Sequence, residues 1–346
     1  ARSIDPRSPL PDVASAEMAR RRRDAAGAKA HYESALALTR DKDSRESILK
    51  VLGGMALDAN DLPGASAYLG SLKRERPGDS FLRAEIARIY GRHGALEAAL
   101  AEWRSVRKAA KGDTPQIVQA LKEEGALLLK LDRDAESEKA YRRALSMVAA
   151  DNWNVREIRE RLVEIHRRRD DLRSLLKEFE RSWKRKGYEE WKLLARLYDE
   201  VGLEEKAIAA YRKAIKKRRK DSGVRLALIR LFERVGRIDD VVAEYKRLIA
   251  AFPDEPRHSI ELADLLYRRQ QPSRAMKLLD RMARKHGRDP SVLTALADAY
   301  TRYGENDRAL KTYERLVRLE PGEESHLISL GEQQSLMGDD EKANKT

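Results

Sequence analysis

The sequence predicts an all-α protein built from repeated helix–turn–helix units, and three observations carry that expectation. An apolar skeleton recurs every 34 residues over much of the 346-residue chain. Inside each copy the apolar positions return at three and four residues, the period of one helix face. Prolines stand where such hairpins start, turn or stop. Pro256 and Pro290 open first helices, Pro63 and Pro272 sit at the turn within a copy, and Pro77, Pro253 and Pro321 follow second helices.

Residues 1–11, with Pro6, Pro9 and Pro11, read as an extended lead-in to an array spanning 12–346. A weak first copy, about 9–45, shows Ala28, Tyr32 and Ala35. Copy 46–79 has Leu49, Leu52, Gly53, Ala56, Ala65, Leu69 and Leu72; copy 80–117 has Ile86, Ala87, Tyr90, Gly94, Ala99 and Trp103. Copy 118–155 has Leu121, Gly125, Leu128, Tyr141 and Ala144. Copy 156–187 is short, with Leu162, Val163, His166 and Phe179, and puts Leu175 where a small residue belongs. Copy 188–221 is the clearest: Trp191, Leu194, Ala195, Tyr198, Gly202, Ala207, Tyr211 and Ala214. Copies 222–255, 256–289 and 290–323 repeat it as Leu228, Phe232, Gly236, Tyr245; Leu262, Ala263, Leu266, Ala275; and Leu296, Ala297, Tyr300, Gly304, Tyr313. A last copy, 324–346, stops inside its second helix, which leaves room for a further domain beyond it; the missing initiator Met and signal segment imply a start either after processing or at an artificial boundary.

The steps near 112–117 and 149–155 are four residues too long, which predicts insertions in those turns. Together with the short copy after Asp151, Asn152 and Trp153 they predict a local change of pitch over 150–187, read as repeat drift. Ala195 and Ala207 are expected to face each other within their hairpin, where small residues let two helices approach. One hairpin cannot bury its own apolar face, so neighbours must stack into a solenoid with a continuous core.

This skeleton resembles the tetratricopeptide repeat. That family has a large residue at position 4, an apolar–small pair at 7 and 8, and an aromatic at 11. Gly follows at 15, a small residue at 20, an aromatic at 24, a small or apolar residue at 27 and Pro at 32. The resemblance covers residues ~9–346 and is nearly complete at 188–221. It implies a right-handed superhelix of about ten hairpins with first helices lining the concave side.

Composition excludes other classes. There is no Cys, hence no disulfide framework and no Cys-held metal; no run approaches the ~18 apolar residues of a membrane span. Charged residues are 37% and aromatics 6%, with a net charge of +13 that favours acidic partners. The excess is uneven: residues 141–220 hold 24 Lys/Arg against 14 Asp/Glu, whereas 321–346 hold 2 against 6. No phosphate-cradling glycine loop and no His-Glu-x-x-His occurs. His31, His93, His166, His258, His286 and His326 are scattered over separate copies, and His166 occupies a core-type position where packing explains it. No enzymatic activity, cofactor, metal or small-molecule substrate is expected. Asp and Glu alternating with Lys and Arg look like a solvated helix surface.

The resemblance assigns the concave groove to Arg88, Arg92, Lys122, Lys130, Arg167, Arg168, Lys192, Arg196, Arg230, Arg234, Tyr267, Arg268 and Arg302, mixed with Glu157, Glu160, Glu164, Asp199, Asp264 and Asp298. A chaperone-tail clamp of this family would need Lys followed four residues later by Asn; Lys50, Lys122 and Lys192 are followed by Gly54, Ala126 and Arg196, which argues against one. A separate basic band comprises Lys184, Arg185 and Lys186, then Arg212, Lys213, Lys216, Lys217, Arg218, Arg219 and Lys220, with seven basic residues and no acid in 211–220. Helix-dipole compensation accounts for two or three of these, not seven. Together these point to a non-enzymatic scaffold holding a protein or peptide in the groove and an acidic partner on the band. The alternatives are nucleic-acid binding, weakened by the want of interleaved stacking aromatics, and a regulatory arm of a larger enzyme or envelope machine. Ala/Leu/Arg-rich usage suggests a bacterial source, and the absence of Cys favours the periplasm or envelope over the cytoplasm.

Overall fold

A computed structural model describes residues 8–149, 152–183, 186–343 and 345. Regular structure among these is helical, twenty helices joined by short turns. The chain divides into two compact units, 1–175 and 176–346, with the boundary inside the copy 156–187.

In the first unit α1 (Leu10–Arg21) pairs with α2 (Ala25–Leu38), α3 (Lys42–Asp58) with α4 (Leu62–Glu75), α5 (Ser80–Arg92) with α6 (Leu96–Ala109), and α7 (Thr114–Lys130) with α8 (Asp134–Ser146). Next, α9 (Trp153–Arg168) packs on α8, and α10 (Leu172–Ser182) contains the boundary after Leu175. The second unit pairs α11 (Tyr188–Glu200) with α12 (Glu204–Lys217), α13 (Ser222–Arg234) with α14 (Ile238–Ala251), and α15 (Pro256–Arg268) with α16 (Pro272–Lys285). It continues with α17 (Pro290–Arg302) on α18 (Asn306–Leu319) and α19 (Glu324–Leu336) on α20 (Asp340–Ala343). Second helices also pack on the first helix of the following copy, so each unit is a solenoid of stacked hairpins.

Local chemistry sets the ends of these helices. Asp24, Asp41, Asp61, Asp79, Asp113, Asn152, Asp221 and Asp289 each accept a hydrogen bond from a backbone N–H of the first turn they precede. Reversal within a hairpin needs one residue in the left-handed region. Gly94, Gly202, Gly236, Gly304 and Gly338 adopt it at φ 72° to 80°, and Arg23, Asn60, Asp132, Asp170 and Gln270 at φ 52° to 62°. All ten are the fifteenth residue of a copy beginning at 9, 46, 80, 118, 156, 188, 222, 256, 290 or 324.

Packing explains the small residues. A Cβ on Gly53 would lie 2.7 Å from Leu69 Cδ2, and one on Gly125 would lie 2.6 Å from Tyr141 Cε2. The eighth residue of a copy therefore meets the twenty-fourth, a contact beyond the expected Ala195–Ala207 crossing. Those two alanines are fully buried, as is every residue from Ala28 through Ala65, Ala99, Ser137, Val241 and Ala275 to Ala309 at the equivalent of Ala207. Leu175 is accommodated at the same place and is equally buried.

Several expectations are corrected. The lead-in does not extend to residue 11: α1 starts at Leu10, and Pro11 sits in its first turn, where a missing N–H costs no helical bond; residues 1–7 lie outside the described residues. The extra residues near 112–117 lengthen a helix rather than a turn. The turn before α7 spans 110–113, as long as the turn 218–221 in a regular copy, while α7 has 17 residues against 13 in α13. Near 149–155 the extra residues are shared between the connection and α9, which has 16; Asp151 lies outside the described residues. Finally, not all the alternating charge is solvated. Glu124 is buried, and its carboxylate accepts from Arg107 Nε at 2.7 Å; Glu244 is buried on Arg225 at 3.0 Å; Glu102 is buried on Lys73 and Arg83. Arg83 and Arg225 occupy the place that Trp191 holds in its copy, and Glu102 and Glu244 the place of Ala210. A charged pair across the hairpin thus stands at the two positions that copy 188–221 fills with Trp191 and Ala210.

Candidate functional site

In the first unit, α5 carries Phe81, Glu85, Arg88 and Arg92 at i, i+4, i+7 and i+11, which is one stripe of the helix. Together with Glu123, Leu127 and Lys130 of α7 and Trp103 of α6 this stripe lines a groove of about 890 Å³. Phe81 is 75% exposed, although a large apolar side chain in water is what folding ordinarily removes. The Arg88 guanidinium lies 5.4 Å from the centroid of the Trp103 ring. Arg88, Arg92 and Lys130 are exposed and have no acidic partner among the described residues. The acids here are occupied: Glu85 accepts from Lys50 at 2.5 Å, and Glu123 from Gln119 at 2.8 Å. Sequence reasoning overlooked Phe81. Its signal was legible, because it is the second residue of its copy, as the groove residue Glu157 is of copy 156–187.

Lys122, expected in the groove, is buried. Its ammonium donates to Asn154 at 2.8 Å, pairs with Glu157 at 2.6 Å and lies 4.6 Å from the Trp153 ring centroid, so its charge is committed to the α7–α9 packing. Arg168 is held by Asp132 at 2.5 Å and by the Leu129 carbonyl at 3.1 Å. Arg167 lies with Glu157, Glu160, Glu164 and the exposed Trp153 along a recess on α9. His166 is buried, Nε2 3.3 Å from Glu138 and Nδ1 3.3 Å from the Asp171 carbonyl, which is a packed structural histidine.

In the second unit the first-helix charges divide the same way. Arg234 is paired with Asp199 and Glu204, Arg196 with Glu200 at 3.8 Å, and Arg302 with Asp264 at 3.2 Å. Tyr267 stacks on Tyr303 with ring centroids 4.1 Å apart and donates its hydroxyl to the Tyr303 carbonyl at 2.7 Å. Arg268 lines a recess with Glu233 and Leu265. Arg230 is exposed without an acidic partner among the described residues; Lys192 is exposed, lies 5.6 Å from the Tyr188 ring centroid and favours the ionised form of Asp221.

Of the basic band, Lys184 and Arg185 lie outside the described residues. Lys186 donates to the Trp183 carbonyl at 2.7 Å, satisfying the end of α10. Arg212 is paired with Asp240 at 3.6 Å. Aromatic rings lie beside the band half-buried, and cations cover their faces. Lys213 lies 4.2 Å from the Trp191 centroid, with Lys186 at 5.6 Å, and Arg218 lies 4.0 Å from that of Tyr188. Nearby acids are occupied as well. Glu189 pairs with Arg218 at 4.0 Å, Glu190 accepts from the Gly187 N–H at 3.0 Å, and Asp221 accepts from the Tyr188 hydroxyl while capping α13. Burial, reinforced by that hydrogen bond, holds the Tyr188 hydroxyl pKa well above its usual value. Burial opposes ionisation of Asp221, but the hydrogen bonds from the Tyr188 hydroxyl and the Val224 and Gly223 N–H groups, with the nearby Lys192 charge, together outweigh it and lower the carboxyl pKa. Lys216, Lys217, Arg219 and Lys220 remain exposed with no partner among the described residues.

No group of His, Asp and Glu among the described residues has the arrangement of a metal site, and no described helix is long and apolar enough to cross a membrane.

Residues 189–330 match the family model for the tetratricopeptide repeat. With the ten-fold recurrence of hairpins, the chain is an all-α array of the tetratricopeptide-repeat type, matched by the family model over that segment. A solved structure of Naa15/Naa10 bound to HypK-THB aligns over 97% of this chain and 57% of that one at 14% identity and a TM-score of 0.50, a likeness of fold. A crystal structure of MamA protein aligns over 45% of this chain and 85% of that one at 20% identity and a TM-score of 0.32. The C-terminal part of a repeat-containing protein from Cytophaga hutchinsonii aligns over 81% and 99% at 12% identity and a TM-score of 0.43. No curated protein matches the chain. Repeats of this family suggest protein partners and a scaffold role that is typically non-enzymatic.

Proposed function

We propose that this chain is a non-enzymatic scaffold that holds a polypeptide partner on the exposed faces of its first helices and a second, acidic partner on the basic band of its second unit. The observation that carries the second contact is the charge balance at the α12–α13 corner. Lys216, Lys217, Arg219 and Lys220 project into solvent while Glu189, Glu190 and Asp221 are engaged elsewhere. Adjacent like charges raise the free energy of the free protein, and an acidic partner relieves that repulsion. An acidic polypeptide is favoured over single-stranded nucleic acid because base stacking needs open ring faces, and the Tyr188 and Trp191 rings are covered.

The test replaces Lys216, Lys217, Arg219 and Lys220 together by Glu and titrates wild type and variant with a poly-glutamate peptide and with mixed-sequence duplex DNA at two salt concentrations, alongside capture of partners from host lysate. Saturable binding of the acidic peptide and of a host protein, lost in the variant and weakened by salt, is the expected result. Tighter binding of the duplex, with log affinity falling by about 0.9 per neutralised phosphate against log salt, replaces the acidic-protein reading by nucleic acid. Host partners retained equally by wild type and variant reduce the band to a solubilising surface.

A further inference from the structure

Two second helices of the second unit carry cations that form no run in the sequence but one surface in the fold. The helix α16 buries Ala275, Met276, Leu279 and Met282, and α18 buries the equivalent Ala309, Tyr313 and Leu316. On the side of α16 away from that core stand Lys277, Arg281 and Arg284, at i, i+4 and i+7. Thirty-four residues later α18 repeats them as Lys311, Arg315 and Arg318. All six are exposed, and none has an acidic partner among the described residues. The acid of α16, Asp280, is held by Arg308. The two stripes also meet. A Cβ on Gly287, just past the end of α16, would lie 2.6 Å from Arg315 Nη2, so the missing side chain leaves room there for a guanidinium of α18. From this juxtaposition we infer that the outer faces of α16 and α18 dock onto an anionic phospholipid bilayer, a contact beyond the two partners of the scaffold.

Seven residues separate Lys277 from Arg284, about 10 Å along the helix axis. Salt screens a charge over ~8–10 Å, so the fields of neighbouring cations add. Arginine predominates among the six, and its planar guanidinium takes two oxygens of one phosphate at once. What the face lacks selects the partner. Among the described residues from 272 to 318 no large apolar side chain is exposed. A polypeptide partner finds no apolar centre for a stable interface, and single-stranded nucleic acid finds no ring to stack on. Duplex DNA is a fixed array of phosphates, and Asp307 and Glu314, both exposed on α18, repel it. In a fluid bilayer the anionic lipids gather under the cations and zwitterionic lipids take the places opposite the acids, so a protein surface of mixed sign is accommodated. With no apolar side chain to insert, the adsorption is peripheral and reversible.

The experiment measures co-sedimentation of the full chain with extruded vesicles of phosphatidylcholine alone, and of phosphatidylcholine mixed with an equal part of phosphatidylglycerol. Wild type should partition onto the mixed vesicles only and be released by salt. Each Lys or Arg near an anionic leaflet is worth about fivefold in partitioning. Lys277→Gln, Arg281→Gln, Arg284→Gln and Arg315→Gln together should therefore lower it by roughly several hundredfold. Helicity should not change, because these side chains are exposed. A second variant, Lys29→Gln, Arg74→Gln, Lys108→Gln and Arg143→Gln, removes the same charge from exposed positions of the first unit and should bind nearly as wild type does. Equal loss in the two variants overturns the inference in favour of net charge alone. Wild type that stays in solution with the mixed vesicles overturns it as well. A mixed-sequence duplex or a poly-glutamate peptide that binds wild type and not the first variant, with vesicle binding alike in both, assigns the face to that partner instead. Vesicle binding lost on reversal of Lys216, Lys217, Arg219 and Lys220 to Glu, but kept in the first variant, moves the lipid contact to the band and overturns the assignment to α16 and α18. The scaffold reading stands through all of these results, because its own test is the host partner lost on that reversal.

Discussion

Gly125→Ala tests the packing rule on which the array is built. Gly125 lies inside α7, where alanine is intrinsically better by about 0.8–1.0 kcal/mol. Its new Cβ, however, would sit 2.6 Å from Tyr141 Cε2 and 2.8 Å from Cζ. The Tyr141 ring is 1% exposed and flat, so it has no flexible end to swing aside. Overpacking a tight core costs ~1–3 kcal/mol, leaving a net loss of about 1 kcal/mol after the propensity gain. Gly70, inside α4, has nothing within 4 Å of the position its Cβ would take, so Gly70→Ala should raise stability by nearly the whole propensity term. Urea unfolding followed by helical circular dichroism gives the two midpoints. Hydrogen exchange then locates the loss in α7 and α8, which matters because repeat arrays open by parts. Tyr141→Leu in the Gly125→Ala background should recover part of the loss, giving a coupling of about 1 kcal/mol. If both alanines stabilise equally, or the double change is strictly additive, the close approach of α7 and α8 is not what selects glycine.

Two other outcomes follow from buried charge and backbone strain. Glu124→Ala leaves Arg107, whose side chain is 22% exposed, without its carboxylate and should cost about 3 kcal/mol in a chemical melt; a loss under about 0.5 kcal/mol would mean the pair is solvated. Gln270→Gly removes the cost of a left-handed non-glycine residue at φ 58°, about 1–2 kcal/mol, against the greater freedom of glycine in the unfolded chain, and should raise the thermal midpoint slightly; a lower midpoint refutes the strain argument.

The sequence by itself determined the helical hairpins and their register. Period, proline placement and the fifteenth-residue turn are local properties, each legible because one residue type answers one backbone need. Even the turns without glycine could be placed, since Gln270 and Arg23 are reached by counting from neighbouring copies. The structure alone decided which charges are spent. Lys122, Arg92 and Arg230 look alike in sequence; one is buried beside Glu157 and Trp153, and the other two are exposed without acidic partners among the described residues. The same holds for acids: Glu124 is buried on Arg107, and Glu123, one residue away, faces the groove. Spacing along a helix gives the face of a side chain but not the length of reach of its neighbours. An arginine finds its carboxylate 17 residues away, as Arg107 does at Glu124, or 35 residues away, as Arg234 does at Asp199. Coulomb attraction depends on distance in space and on exposure to water, and both are fixed only once the hairpins have stacked.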